Sequence, residues 1–389
     1  MKLARIVVVD DDSGVLRSVE RVLGRKYEVA STGSPQEAIQ LTEDFEPDLA
    51  ILDIRMPGMD GFQLMGRLKS VRSDLDIILM TGSIHELDAQ LIRAIRERAF
   101  YFLQKPFDRE VLLTLVERCL ELRKLDRQNR FHLMRVEKEL SEARAFQRSL
   151  LPAEQGCVGG LAVFARYIPC SELGGDFYDY AEAGPTCATL IVADVSGHGV
   201  MAAMLTGIVK SAFHSASGAG YAPLEIVERI STGLQAFSVE QFVTVLCVRS
   251  SGAGTILEYV NAGHPPGILW RAGCPPTFLE ATGPLISPAF PNFSWVQERL
   301  PTGERNQLLL FTDGIPEIEG DDGFLGLERL VREVKNNQKG GPELLDQILR
   351  SAREFSGGRR LQDDLTLLTA NLSAGAVAKS SGGAKPAET

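Results

Sequence analysis

The 389-residue chain has no run of 18 apolar residues, which leaves no candidate for a membrane-spanning helix. Its start, Met1-Lys2-Leu3-Ala4-Arg5, passes directly into a short Val-rich segment and acids, which is not the form of a signal peptide. Cysteine is sparse. The six residues (Cys119, Cys157, Cys170, Cys187, Cys247, Cys274) form no Cys-x-x-Cys pair and no zinc spacing, which argues against a disulfide scaffold or zinc centre. The five histidines are scattered. Basic excess is missing as well: 41 Lys and Arg face 51 Asp and Glu, a net charge of −10 that argues against a dedicated nucleic-acid binder. No internal repeat of 20–50 residues is found. What remains, 44% hydrophobic and 24% charged residues, is ordinary for a soluble globular protein with two or three domains. A cytoplasmic location with reduced thiols is expected.

Charge divides the chain into three. Residues 1–122 carry net −5, residues 123–150 net +4, and the remainder net −9. Between Asp108 and Leu150 there is neither Gly nor Pro. Apolar or small residues recur there at spacings of 3 and 4, including Leu112, Leu115, Cys119, Leu122, Leu133, Val136, Leu140, Ala143 and Leu150. Asp126, Asn129 and Gln147 interrupt this heptad seam. The pattern predicts a long helix, paired with a second copy in a homodimer, and a continuous one would run for roughly 65 Å. The other reading of the stretch is a last domain helix and a separate linker helix, breaking near Asp126–Arg130.

Before that stretch, apolar runs alternate with helical spacing. Ile6–Val9, Tyr27–Ala30, Leu49–Leu52, Ile77–Met80 and Phe100–Leu103 read as strands of a parallel sheet covered on both faces. Asp10, Asp11, Asp53, Thr81 and Lys105 all fall at the carboxyl ends of these strands, where such sheets gather reactive groups. The residue types suit one task. Asp10 and Asp11 are hard oxygen ligands for Mg²⁺. Asp53 is a carboxylate able to accept a phosphoryl group, with Thr81 and Lys105 available to its oxygens. Lys105-Pro106 is a candidate cis peptide that would aim the lysine inward. With Val9-Asp10-Asp11-Asp12, Leu52-Asp53-Ile54-Arg55-Met56-Pro57-Gly58, Met80-Thr81-Gly82 and Lys105-Pro106-Phe107, the segment resembles the receiver domain of two-component response regulators. The resemblance implies a five-stranded sheet in flavodoxin-like order, phosphorylation of Asp53 by a sensor histidine kinase, and Phe102 as the conformational-switch aromatic beside Tyr101.

Beyond Pro152 the chain shows many short strands (161–168, 188–194, 242–248, 255–261, 307–312, 365–370) and helical patterns at 200–213, 223–237, 326–335 and 342–355. This predicts an α+β domain, a β-sandwich flanked by helices. Residues 373–389 read as a disordered tail. Asp194, Asp313 and Asp363 stand at predicted strand edges, and Asp176, Asp313 and Asp363 each have Gly or a second Asp beside them. Carboxylates gathered without His or Cys select Mg²⁺ or Mn²⁺, and two such ions suit in-line attack of water on a phosphate. No Ser-His-Asp or Cys-x₅-Arg arrangement offers a protein nucleophile instead.

The motifs Glu172-Leu173-Gly174-Gly175-Asp176, Ala193-Asp194-Val195-Ser196-Gly197-His198-Gly199, Phe311-Thr312-Asp313-Gly314 and Gln362-Asp363-Asp364 resemble the metal-dependent serine/threonine phosphatases of the PPM (type 2C) family. The likeness is to its bacterial sigma-regulatory and sporulation branch, with Gln147-Arg148-Ser149-Leu150-Leu151-Pro152 as that branch's opening sequence. It implies that Asp194 bridges two metals, the Val195 carbonyl completes one shell, Asp313 and Asp363 are further ligands, and Asp176 binds through water. Asp364 is given no direct ligation. Ser196 stands where eukaryotic members often have a histidine acid, and His198 is not taken as its substitute. His264 is read as ordering a turn.

The domains expected are a receiver (1–122), a helical linker (123–150), a phosphatase domain (151–372) and the tail. The predicted function is a phosphatase controlled by Asp53 phosphorylation and acting on a phosphorylated regulator, such as an anti-sigma factor antagonist. The alternative is a phosphorylation-gated adaptor without turnover. A DNA-binding output fits poorly, because the C-terminal block is acidic and shows no helix-turn-helix with a basic recognition face.

Overall fold

The computed structural model describes residues 3–82, 101–197, 199–252, 254–302, 306–321, 323–337 and 340–372. His198 and the tail 373–389 lie outside the described residues. The chain forms two compact units that meet at Val136/Glu137.

The first unit holds strands β1 (Arg5–Val9), β2 (Glu28–Thr32), β3 (Leu49–Asp53), β4 (Asp76–Thr81) and β5 (Tyr101–Gln104). All pair in parallel, in the order β2-β1-β3-β4-β5. β3 is buried at every position, as a central strand covered on both faces must be. Helices Pro35–Phe45 and Gly61–Val71 supply one apolar layer, and Ser13–Leu23 with the start of Arg109–Leu150 supplies the other. Local signals set the helix starts. Asp12 accepts from the Gly14 N–H at 2.7 Å, so the third acid after β1 is an N-cap. Asp60 and Gln63 form a reciprocal capping box.

Arg109–Leu150 is one continuous helix of 42 residues, so the stretch does not break near Asp126–Arg130. In the first unit its Leu112, Val116 and Cys119 are buried, while Phe131, Leu133, Met134 and Val136 are exposed. Arg123, also buried, holds Asp76 at 3.0 Å and Asp74 at 2.7 Å, pinning the helix to the start of β4.

The second unit is a four-layer sandwich. One sheet runs β14 (Glu298–Pro301), β11 (Ile256–Ala262), β10 (Val243–Ser251), β9 (Cys187–Val195), β8 (Asp176–Gly184). The other runs β13 (Thr277–Leu279), β12 (Gly267–Trp270), β15 (Asn306–Phe311), β18 (Leu365–Leu372), β7 (Leu161–Ile168), β6 (Gln155–Val158), and a short ribbon pairs β16 (Glu319–Gly320) with β17 (Gly323–Phe324). The sheets pack on each other through Tyr178, Leu190, Val192, Leu246, Leu308, Leu310 and Leu368. Helices Val200–Gly218 and Pro223–Leu234 cover the outer face of the first sheet. Gly326–Asn336 and Gly341–Ser356 cover that of the second. The sequence reading omits β8, because Asp176, Asp179 and Glu182 disguise a strand whose first four residues are nevertheless buried.

Candidate functional site

In the first unit each reactive side chain stands just past or at the end of a parallel strand, so all face one sheet edge. Ligand oxygens of Asp10, Asp11 and Asp53 lie within 4.8 Å of one another. Asp10 and Asp53 are buried and Asp11 is exposed. Lys105 reaches between the two buried acids, donating to Asp10 and, at 2.6 Å, to Asp53 Oδ1. The other Asp53 oxygen accepts from the Arg55 N–H at 2.9 Å. Lys105-Pro106 is cis. Burial pushes the Asp10 carboxyl up despite its bond to Lys105, and Asp53 adds to that rise. Burial opposes the charge on Lys105, yet its bonds to Asp10 and Asp53 outweigh it and hold the ammonium above its usual range. Thr81 is buried at the end of β4, and Phe102 is half-buried on β5, against the layer carrying Pro35–Phe45 and Gly61–Val71. Two acids with one lysine between them form a site that suits a divalent cation.

The second unit builds its centre at one end of the cleft between its sheets. Asp176 on β8 is the direct register partner of Asp194 on β9, which in turn faces Thr244 on β10. Directly opposed residues share a face, here the one that looks toward the other sheet. From that other sheet come Thr312 and Asp313 after β15, and Asp363 and Asp364 before β18. The Thr312 and Thr366 hydroxyls donate to Asp176 Oδ2 at 2.7 and 2.6 Å, tying the sheets together at the site.

Asp364 is a scaffold residue. Its Oδ2 accepts from the Gly175 N–H at 2.6 Å and the Asp176 N–H at 3.3 Å, and its Oδ1 accepts from the Cys170 N–H at 2.8 Å. The glycines around it follow from close approach. A Cβ on Gly174 would overlap Asp364 and the Tyr167 hydroxyl, and one on Gly314 would overlap the Asp364 carbonyl. Gln147, near the end of the long helix, is buried and pairs with both backbone groups of Gly174, donating to its O at 2.7 Å and accepting from its N–H at 3.2 Å. This is why a polar residue interrupts the seam there.

The four aspartates are not drawn into as tight a group as the receiver acids. They do act on one another. Burial, then Asp313, Asp363, Asp364 and Glu317, push Asp194 up to about 7. Burial and Asp194 push Asp176 well above the usual carboxylate range, and burial with Glu317 raises Asp313. Among the described residues Asp313 Oδ1 is buried without a hydrogen-bond partner. Mutually repelling acids and an orphaned carboxylate oxygen fit a divalent cation, which would reverse these shifts. Beside them lies a cleft of about 270 Å³ lined by Glu317, Phe324, Arg359, Arg360 and Asp363. Sequence reasoning missed Glu317, Thr312, Thr366 and Thr244. Glu317 follows Asp313 by four residues, a signal available but unremarkable without the fold.

The comparisons with known proteins agree in kind with this geometry. A family model described as Stage II sporulation protein E (SpoIIE) matches residues 184–373, and one described as Response regulator receiver domain matches residues 6–117. The chain is 36% identical over 121 residues to the DNA-binding transcriptional regulator NtrC of Azospirillum brasilense, covering 31% of this chain and 25% of that protein. It is 28% identical over 187 residues to the phosphoserine phosphatase RsbP of Bacillus subtilis (strain 168), covering 47% of this chain and 46% of that protein. The chain therefore spans less than half the length of these two curated relatives. The structure superimposes on the SiaA-PP2C domain of Pseudomonas aeruginosa with a TM-score of 0.54 at 21% identity, covering 62% of this chain and 98% of that one, a likeness of fold. One polypeptide thus joins a segment that matches the receiver-domain model to a segment that matches the SpoIIE model and shares the fold of a PP2C domain.

Proposed function

We propose that phosphorylation of Asp53 by a sensor histidine kinase controls a metal-dependent phosphoserine/phosphothreonine protein phosphatase in the second unit. The observation that carries this reading is the meeting of Asp176, Asp194, Asp313 and Asp363 between two sheets, with Asp313 Oδ1 orphaned. RsbP, named a phosphoserine phosphatase, supports the substrate class. The substrate is a phosphorylated regulator resembling an anti-sigma factor antagonist, encountered in the cytoplasm. The described residues include no helix long and apolar enough to cross a membrane.

Asp194, Asp313, Asp363 and the Val195 carbonyl would hold two Mn²⁺ or Mg²⁺ ions, with Asp176 acting through water. Bound there, the ions supply Lewis acidity and neutralise phosphate charge. Thr312 and Thr366 orient Asp176 through their hydroxyls, and Asp364 fixes the backbone of Gly175 and Asp176. In the receiver, Asp10, Asp11 and Asp53 would hold one Mg²⁺, and Lys105 stands ready to pair with a phosphoryl oxygen on Asp53. Thr81 and Phe102 then serve as the switch pair. A homodimer through residues 108–150 covers Leu133, Met134 and Val136, which a single chain leaves exposed.

The test is Mn²⁺-dependent phosphate release from a phosphoserine protein, with and without beryllofluoride as acyl-phosphate mimic at Asp53. Release that changes with beryllofluoride is expected. No release in either state would defeat the proposal.

A further inference from the structure

Between β11 and β12 the chain leaves one sheet and enters the other, and the four residues of that crossing are Gly263, His264, Pro265 and Pro266. His264 is 3% exposed. Its ring touches both sheets. Nδ1 lies 2.8 Å from the Thr244 hydroxyl on β10, and Nε2 lies 3.1 Å from the Phe311 carbonyl oxygen on β15. A carbonyl only accepts, so Nε2 carries the proton and Nδ1 accepts from Thr244. The ring is held from behind. Its own backbone N–H donates to Asn261 Oδ1 at 2.8 Å, and Asn261 Nδ2 donates to the Leu279 carbonyl at 2.9 Å. Burial pushes the imidazole down to about 3, so it stays neutral.

The two atoms that the ring holds matter for where they sit. Thr244 is the register partner of Asp194. Phe311 precedes Asp313 by two residues, at the end of β15. One imidazole therefore spans from the strand pair that carries one carboxylate to the strand that delivers the other. A histidine that merely filled space would need no such pair of partners, and an apolar side chain would serve a core position better.

We propose that His264 is a positioning residue: a neutral strut between the sheets that sets the separation of the Asp194 and Asp313 carboxylates and so the affinity of the phosphatase centre for its cations. The inference rests on the reading of those two aspartates as metal ligands. Removing the strut takes away the ring's bonds to the buried Phe311 carbonyl and the half-buried Thr244 hydroxyl, and the sheet ends relax by changing their spacing. Carboxylates that share a cation are sensitive to that spacing because ligand distances vary by only a few tenths of an ångström.

The experiment is Mn²⁺ titration by calorimetry on the full chain, with Asp194→Ala as the blank that leaves receiver uptake in place. His264→Leu, His264→Gln and Thr244→Val are compared with wild type, and each is melted in chelator. We expect His264→Leu to weaken Mn²⁺ at the second unit by about tenfold or more and Thr244→Val by a smaller factor. His264→Gln keeps an N–H donor for Phe311 and recovers part of the loss. The Mn²⁺ needed for half-maximal phosphate release rises in step, while KM for the phosphoprotein at saturating Mn²⁺ does not move. Wild-type Mn²⁺ affinity in Thr244→Val and in folded His264 variants overturns the strut and leaves the metal centre standing. Should His264→Leu fail to fold, Thr244→Val and His264→Gln decide. Wild-type uptake no greater than that of Asp194→Ala overturns the metal centre itself, and the strut with it.

Discussion

Replacing Gln147 tests whether the end of the long helix is bonded into the acidic centre of the second unit or only rests on it. The amide makes two hydrogen bonds to Gly174, whose next-but-one neighbour is Asp176, and the Thr206 hydroxyl lies 3.5 Å from its nitrogen. Gln147→Leu keeps the helix and roughly the volume but leaves a buried N–H and a buried C=O unpaired. Each such group costs about 1–3 kcal/mol, so with partial relaxation the pair amounts to about 2–4 kcal/mol. For a domain of this size that lowers the melting midpoint by roughly 5–10 °C. The local signature is sharper. Hydrogen exchange at Gly174–Asp176 rises, and half-maximal phosphate release needs more Mn²⁺, because the backbone that aims Asp176 is loosened. Gln147→Glu separates charge from shape. One oxygen can still accept from the Gly174 N–H, but the other faces the Gly174 carbonyl oxygen. Its defect is therefore at least as large as that of Gln147→Leu at pH 8 and shrinks as the pH falls and the carboxyl gains a proton. A Gln147→Leu protein with wild-type melting, exchange and Mn²⁺ response would refute this reasoning.

Three further outcomes are expected. In chelator, the second unit loses stability as pH rises from about 4 to about 7: Asp194 and Asp176 have raised pKa values, so the stability held while they are protonated disappears as they ionise. Added Mn²⁺ abolishes that slope, and melting curves across pH with and without the metal check both statements. Asp53→Asn takes up no phosphoryl group from a small acyl-phosphate donor, and Lys105→Ala still does so but shows a smaller change in phosphatase rate; phosphate-affinity gels and rate measurements read the two effects. Arg123→Leu leaves Asp74 and Asp76 without their shared guanidinium and costs about 1–2 kcal/mol, held below the buried-pair range because Asp74 is 47% exposed, as denaturant melts of the receiver unit would show.

The receiver was legible almost to the residue. Its strands are short apolar runs with acids directly after them, and a parallel sheet sends all strand ends to one edge, so Asp10, Asp53, Thr81 and Lys105 converge from topology alone. The helical character of 109–150 was legible too, from the absence of Gly and Pro and the apolar steps of 3 and 4, but its continuity through Asp126–Arg130 was not, because polar residues interrupt the seam there.

The second unit was legible in its motifs and not in its arrangement. The acids at 176, 313 and 363 mark themselves by their Gly and Asp neighbours, and Asp194 by its place at the end of an apolar strand. That Asp176 sits on a buried strand opposite Asp194 had no sequence signal, because β8 carries acids where a strand pattern demands apolar residues. The roles of Thr244, Thr312, Thr366, Gln147 and His264 were beyond sequence for one reason. Each acts by a hydrogen bond to a partner 20 to 190 positions away, and one side chain's type says nothing of which distant atom it meets. Local chemistry determined which residues can do the work; the packing of one sheet against the other decided which of them do it together.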